Sequence, residues 1–350
     1  MHRNRVKAGE AAGEASETKT GKAGKASEGK NRGKGGRKLS FQRGMQLLSA
    51  ALLNGYAVGF AKGRIFTGKS KAVCVPVLNC YSCPGAFGAC PIGSLQAVLC
   101  GKRHFPFYVL GTLMLFGIVL GRLVCGLLCP FGLVQDLLHK IPVPKITVPK
   151  KVDRPARYLK YVVLAVLVFL LPAFAVTKSG VNSPYFCKYL CPAGTLGGGI
   201  PQMAANAQLR ELAGILFHWK LLVLILILAA SVAIHRPFCR YLCPLGAFYA
   251  VFNRFSFYQM HLDKSKCVDC KACERSCPMA VEVTKQVNGP ECIRCGKCKS
   301  VCPTGAISSG FIQKMEKGSV SAGENTKPGG AKELTNKSGL IIIGKRAKKT

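Results

Sequence analysis

Two stretches constrain this chain more than anything else in it: Cys267-x2-Cys270-x2-Cys273-x3-Cys277-Pro278 and Cys292-x2-Cys295-x2-Cys298-x3-Cys302-Pro303. This is the spacing that holds a pair of cubane iron–sulfur clusters. A cubane needs four thiolates at the corners of a small cube. Three come from one tight loop, because two-residue gaps turn the backbone back on itself, and the fourth comes from elsewhere. In two-cluster ferredoxins the last Cys of each run serves the other cluster. The spacing therefore assigns Cys267, Cys270, Cys273 and Cys302 to one 4Fe-4S cluster, and Cys277, Cys292, Cys295 and Cys298 to a second. Pro278 and Pro303 fix the exit of each loop. A zinc ribbon needs only paired C-x2-C ligands. It leaves the third Cys of each triplet and the trailing Cys-Pro without a role.

The rest of the chain is harder to place in a soluble protein. Among 350 residues there are 19 Cys and a formal net charge of +35. A disulfide scaffold does not suit a chain this long whose Cys fall into ligand spacings. Nucleic acid is not the implied partner of the basic charge, because that charge is segregated. Much of it lies in a low-complexity head, Met1 to Arg43, and in the tail after Gly310, both of disordered composition. The remainder flanks apolar segments. Four segments stand out: Met45–Ala61, Phe105–Gly121, Tyr158–Thr177 and Ile215–Ile234. The last two have the length to cross a bilayer and the first two are marginal. Together they predict a four-span membrane protein without a cleaved leader. Its expected parts are a basic head (1–44), a membrane domain (45–256), a two-cluster domain (257–310) and a basic tail (311–350).

Lys and Arg set the expected orientation. The connection between the second and third spans carries Arg122, Lys140, Lys145, Lys150, Lys151, Arg154 and Arg157, against Lys178, Lys188 and Arg210 between the third and fourth. The positive-inside rule puts the head, that connection and the cluster domain in the cytoplasm. Lys62, Arg64, Lys69, Lys71, Lys102 and Arg103 in the first outer loop pull the other way.

The middle of the chain repeats itself. Cys-Pro-x-Gly occurs at Cys90, Cys129, Cys191 and Cys243, and the last three have a second Cys four residues earlier, at Cys125, Cys187 and Cys239. The order motif, span, motif occurs twice, which marks a duplicated hairpin. Pro at the first helical position sacrifices no hydrogen bond. The Cys before it sits at a helix N-terminus, where free amides and the dipole favour a thiolate. Cys125, Cys129, Cys239 and Cys243 fall at the inner ends of the second and fourth spans and form a candidate inner site. Cys83, Cys90, Cys187 and Cys191 form a candidate outer site, with Cys80 as the substitute for Cys83 and a disulfide such as Cys80–Cys90 as the competing reading. One or two further iron–sulfur clusters are therefore expected in the membrane domain. Cys74 and Cys100 are given no ligand role.

At this point the chain resembles the membrane-bound polyferredoxins of the NapH and NosR type, and the wider group that includes CcoG-type copper-handling proteins. The residues that carry the resemblance are Cys125-Gly126-Leu127-Leu128-Cys129-Pro130, Cys239-Arg240-Tyr241-Leu242-Cys243-Pro244 and the two Cys-rich runs, and it extends over Met45 to Ser309. It implies an electron-transfer subunit working between a quinol or cytoplasmic donor and a partner redox enzyme. The chain departs from the pattern in its Cys-rich loop Cys74/Cys80/Cys83/Cys90, and its short outer loops leave no room for the flavin domain of NosR-type proteins.

The expected fold is mainly α: four transmembrane helices in two duplicated hairpins, then a C-terminal α+β two-cluster bacterial ferredoxin-like domain. Short amphipathic helices, Phe131–His139 and Ala247–Phe255, are expected along the inner interface. The expected function is electron relay in the cytoplasmic membrane. The competing readings are a membrane reductase of a metal ion or quinone and a redox-sensing or assembly protein. His104, His139, His218 and His235 near span ends suit interfacial positions better than haem ligation, and no nucleotide-binding motif occurs. The bilayer core of about 30 Å is wide for a single electron step between an inner and an outer site.

Overall fold

The computed structural model describes residues 41–101, 105–146, 148–175 and 182–311. The basic head before residue 41, the tail after 311, and His104 lie outside the described residues.

The chain is mostly helical, and three of its helices begin the same way. Cys90, Cys129 and Cys243 each stand in extended conformation as the N-cap, and Pro91, Pro130 and Pro244 open the helices that follow. Proline's fixed φ suits that first position. In chain order the main helices are α1 (Phe41–Leu53), α2 (Ala57–Lys62), α3 (Pro91–Cys100), α4 (Phe107–Leu120), α5 (Leu123–Leu127), α6 (Pro130–Leu138), α7 (Lys150–Phe174), α8 (Ile215–Ala233), α9 (Pro237–Tyr241) and α10 (Pro244–Phe252). Short helical turns over Phe186–Leu190, Pro192–Gly194, Thr195–Gly199 and Ile200–Ala205 stand in the second repeat where α3 stands in the first. The repeat is thus α3–α4–α5–α6 and, again, those turns followed by α8–α9–α10.

Two helices are long and apolar enough to cross a membrane: α7, with 25 residues, and α8, with 19. At 1.5 Å per residue they span about 37 and 28 Å. Most of their apolar surface faces outward, including Leu170, Phe174, Ile225 and Leu226. Within α7 the hydrogen bonds over Val163–Leu170 skip five residues instead of four. The other two expected spans are shorter. The segment Met45–Ala61 breaks after Leu53, at Asn54 and Gly55, and resumes as α2. The segment Phe105–Gly121 gives only the 14 residues of α4, stopped by Pro106 on one side and by Gly121 in a turn on the other. Hydropathy alone does not reveal the break at Asn54 and Gly55, because the residues on either side of it are apolar.

The interfacial helices are also revised. Of the two, α10 is a core element: Leu245, Ala247, Tyr249 and Ala250 are buried. Its Tyr249 hydroxyl donates to the Pro76 carbonyl at 2.9 Å. The loop before α3 folds inward, with Val75 N–H bonded to the Ala89 carbonyl and Ala89 N–H to that of Val73. Val77 and Leu78 on this loop join the same core as Cys90, Cys125, Cys129, Cys191, Cys239 and Cys243.

After α10 comes an antiparallel pair, β1 (Tyr258–Leu262) and β2 (Ile307–Phe311), with Tyr258 opposite Phe311 and Leu262 opposite Ile307. The Cys-rich runs lie between the strands. Two small apolar clusters support them. Met260, Val283 and Ile307 pack beside Cys273, and Met279, Val281 and Ile293 pack beside Cys277, Cys292 and Cys295.

Candidate iron–sulfur sites

The two Cys-rich loops curl alike. Asp269 and Lys271 in the first, Arg294 and Gly296 in the second, take positive φ at matching places, with values of 48°, 54°, 53° and 77°. Alternating hand in successive residues turns backbone N–H groups toward one concave side. The outcome is two Cys-lined cavities. Cys267, Cys270, Cys273 and Cys302 line one. Cys277, Cys292, Cys295 and Cys298 line the other. The last Cys of each run has crossed to the other loop's cavity.

A third cavity lies between the two helical repeats. It is lined by Cys125 and Cys129 from α5 and α6, and by Cys239 and Cys243 from α9 and α10, with Pro76, Val77, Leu78 and Phe131. The three cavities are small and alike, about 10 Å³ here and about 20 Å³ for each of the two in the cluster domain. Similar size and four thiols apiece fit the same group in each. Among the described residues no three His, Cys, Asp or Glu side chains converge on a point that suits a single metal ion. The sulfurs stand around a void instead. A broader cleft beside α7 is lined by Lys150, Arg154, Arg157, Glu282 and Lys285, but no cysteine faces it.

Polar groups aim at the sulfurs of the third cavity. Gln135 Nε2 donates to Cys239 Sγ at 3.1 Å, and its Oε1 accepts from Phe238 N–H at 3.3 Å. Gly246 N–H donates to Cys243 Sγ at 3.3 Å, and Gly194 N–H to Cys191 Sγ at 3.4 Å. The Cys-Pro-x-Gly motifs at Cys191 and Cys243 thus share one geometry, the glycine amide capping back onto the cysteine sulfur three residues earlier, while Cys90 and Cys129 stand as N-caps without that bond. Two arginines close the site by exchange. Arg122 Nη2 donates to the Cys239 carbonyl at 3.2 Å, and Arg236 Nη1 to the Cys125 carbonyl at 2.8 Å. Each arginine stands three residues before a cysteine of its own repeat and holds the carbonyl of the other. Both are fully buried.

Carboxylates hold those arginines. Asp136 takes Arg236 through both oxygens and His235 through one, at 3.2 Å. Glu291 takes Arg122 at 2.9 Å and also binds Lys160. Glu291 is the neighbour of Cys292, so this second pair ties the cluster domain to the helices. More bonds reinforce the junction. Arg294 Nη1 donates to the Leu120 carbonyl at 2.8 Å, and Asn253 Nδ2 to those of Gly289 and Cys292 at 2.7 and 3.0 Å. Gly126 packs so closely on Ile293 that a Cβ there would overlap the Ile293 carbonyl oxygen. The sequence between Cys125 and Cys129 therefore touches the sequence between Cys292 and Cys295. Spacing gave no sign of this contact.

Burial pushes the thiols of Cys292 and Cys298 up to about 11 and about 12. Cluster ligation needs thiolates, so loading these sites releases protons. Cys302 is the exception, held below the usual thiol range first by its contact with Thr304.

In the outer set Cys80 and Cys83 both lie against the segment after Cys191, a Cβ at Gly197 falling 3.8 Å from Cys83 Sγ and 4.0 Å from Cys80 Cβ. Cys83 Sγ turns to Asn54 Oδ1 at 3.6 Å. Cys80 Sγ lies beside Gly194 and Gly198, next to Cys191 Sγ. A loop with cysteines at 80 and 83 reads the same from either, and only the fold decides which side turns inward. The histidines have other partners: His139 Nδ1 lies 3.3 Å from the Ser231 carbonyl, His218 Nδ1 3.2 Å from that of Gly214, and His235 binds Asp136.

Residues 104–149, 162–201 and 216–263 match one 4Fe-4S binding domain family, and residues 286–308 match a second. An uncharacterized protein of Methanocaldococcus jannaschii is 30% identical over 234 residues, covering 65% of this chain and 80% of that protein. The methylamine utilization ferredoxin-type protein MauN of Paracoccus denitrificans is 28% identical over 189 residues, covering 53% and 59%. The chain belongs to the family of membrane-bound ferredoxin-type 4Fe-4S proteins. Within this family of iron–sulfur electron-transfer proteins, regulatory protein NosR of Stutzerimonas stutzeri is 25% identical over 176 residues, which cover 48% of this chain but 21% of NosR. This ferredoxin-type chain thus shares a limited part of NosR. No solved structure matches it.

Proposed function

We propose that this membrane-bound ferredoxin-type protein relays single electrons between a quinol or cytoplasmic donor and a partner redox enzyme. Cys267, Cys270, Cys273 and Cys302 would hold the cluster farthest from the helices. Cys277, Cys292, Cys295 and Cys298 would hold the next, and Cys125, Cys129, Cys239 and Cys243 a third between the repeats. A cubane in each position supplies reversible one-electron oxidation and reduction. The chain fixes the order of the three, gives the sulfurs hydrogen bonds that set their potentials, and keeps water from the inner one.

One observation carries this reading. The stretch Glu291 to Arg294, which includes Cys292, docks directly on Arg122 and Gly126, which flank Cys125. A cluster domain that served only as a soluble relay would not need its second Cys loop bonded to the backbone of a membrane thiol site.

We further propose that α7 and α8 cross the bilayer, with α1 packed on α5 and α6, and α4 on α3 and α10, as shorter apolar elements. The N-terminal end of α7 carries Lys150, Lys151, Arg154 and Arg157 and ion-pairs with Glu282 of the cluster domain. The positive-inside rule then sets that domain in the cytoplasm. Anaerobic purification in detergent, an iron and sulfide count and a potentiometric EPR titration test the relay. Cys125→Ser with Cys239→Ser should remove about four irons and one titrating centre while the two ferredoxin signals persist. A pair of substitutions that removes no iron, with copper bound at those thiols instead, would replace the relay by a metal-ion reductase.

A further inference from the structure

Seven cysteines lie outside the three cavities, and four of them draw together: Cys80, Cys90, Cys187 and Cys191. Their surroundings repeat those of the inner set. A Cβ at Gly194 would lie 3.6 Å from Cys191 Sγ and 3.7 Å from Cys80 Sγ, and one at Gly93 would lie 3.9 Å from Cys187 Sγ and 3.8 Å from Cys90 Cβ. Both Cys-Pro-x-Gly glycines of this layer thus look into the space the four cysteines share. The Gly194 amide caps Cys191 as the Gly246 amide caps Cys243 of the inner set. Gln96 fixes the wall from behind, donating to the Leu167 carbonyl at 2.7 Å and accepting from Cys187 N–H at 3.3 Å.

Charge points the same way. Four thiolates around an iron–sulfur core make a negative centre, and a buried negative centre calls for cations. Lys71 is 8% exposed and lies beside Cys80 and Cys83, its Nζ donating to the Ala86 carbonyl at 3.1 Å. Lys220 on α8 faces Cys80, Cys187 and Cys191. Among the described residues neither lysine has a carboxylate partner. A disulfide would leave two lysines beside a neutral sulfur pair.

The distance to the inner set is short. Pro76, Val77 and Leu78 line the inner cavity. Cys80 of the outer set stands two residues after Leu78, so at about 3.8 Å per residue their Cα atoms lie within roughly 8 Å of each other. Cys90 and Cys191 of the outer set share one buried core with Cys125, Cys129, Cys239 and Cys243 of the inner. The buried Tyr249 belongs to that same core. Helix lengths agree. From Cys90 the chain leaves along the 10 residues of α3 and returns to Cys125 along the 14 of α4. The two sets therefore meet in one core, and the wide gap expected between them narrows.

We infer that Cys80, Cys90, Cys187 and Cys191 hold a fourth iron–sulfur cluster, joined to the inner set through the short segment 78–80. One electron would pass from the reduced inner centre to the oxidised outer one, with no bond made or broken and no proton moved. The joining rests on the proposed function of the inner set; the presence of metal in the outer set does not.

The test uses the full chain, purified anaerobically in detergent. The expected result is about sixteen irons per polypeptide. Cys80→Ser with Cys187→Ser should lose about four, and Cys83→Ser none. EPR of the reduced wild type should show magnetic broadening of the inner signal, absent from the Cys80→Ser, Cys187→Ser variant. A wild-type count near twelve with the inner signal present overturns the inference, as does a disulfide found by mass among these four. A loss of iron in Cys83→Ser but not in Cys80→Ser overturns the ligand set. Cys125→Ser with Cys239→Ser keeps the readings apart: iron retained there but lost in the outer variant refutes the inner cluster and leaves the outer one standing. If the outer variant does not fold, the wild-type count and the Cys83→Ser count still decide.

Discussion

At the scale of single residues, Gln135 is the side chain most exposed to a redox test. Its amide donates to Cys239 Sγ at 3.1 Å. A hydrogen bond to a cluster sulfur favours the more negative, reduced state. Gln135→Leu should lower the inner potential by roughly 20–60 mV, taking about 0.5–1.5 kcal/mol for the bond and 59 mV per tenfold in a one-electron couple. Potentiometric EPR reads this, and an unchanged potential would show that the amide does not face a bound cluster. Gly296, at φ 77°, makes a different prediction. Any L side chain there costs about 1–2 kcal/mol, so Gly296→Ala should weaken the second loop's hold on its iron, seen as faster loss to a chelator. Lys271 already bears that strain at the matching position of the first loop. Asp136 governs acid sensitivity. Burial alone would raise its carboxyl, but the bonds and charge of Arg236 and His235 outweigh that and hold it well below the usual carboxylate range. Its stabilising contribution is complete above the unfolded value near 4 and is lost as the pH falls toward the depressed one. Asp136→Asn should remove that limb from a stability profile measured between about pH 5 and pH 2. Residue spacing made the crossed grouping of the ferredoxin cysteines legible, because a loop with two-residue gaps has few ways to turn. It did not decide between Cys80 and Cys83, because both face the same short loop and only Asn54, far off in sequence, draws one of them away.

At the scale of elements, the junction between the second Cys loop and α5 is the sharpest place to intervene. Gly126 leaves no room for a Cβ against Ile293. Gly126→Val should push the cluster domain off the helices without touching a cysteine. We expect faster proteolysis and hydrogen exchange across 258–311, a full complement of iron in the ferredoxin loops, and slowed reduction of the inner site through them. Unchanged exchange would show that the junction tolerates the side chain. The sequence announced the helix starts, since Cys-Pro marks three of them, and it announced α8 almost to the residue. It overstated the first two spans, because apolar composition runs straight through Asn54-Gly55 and into Gly121, where the backbone turns. The docking was hidden for a physical reason. It rests on Arg122, Glu291, Lys160 and Asn253, each an ordinary polar residue by itself, brought together across more than a hundred positions.

At the scale of the whole molecule, the two repeats are bound by exchange. Arg122 of the first holds a carbonyl of the second, and Arg236 of the second holds a carbonyl of the first. Neither repeat contains a finished site: each supplies two thiols, one guanidinium and one half of the wall. This is the arrangement of a two-fold homodimer, in which residue i meets residue j and j meets i, here drawn along a single chain. A gene for one repeat would encode half a socket, and two copies facing each other would complete it. Joining the halves frees them to diverge, so that one arginine came to answer to Asp136 within the membrane unit and the other to Glu291 beside Cys292. The asymmetry between the repeats is thus carried by the partners of two otherwise equivalent arginines.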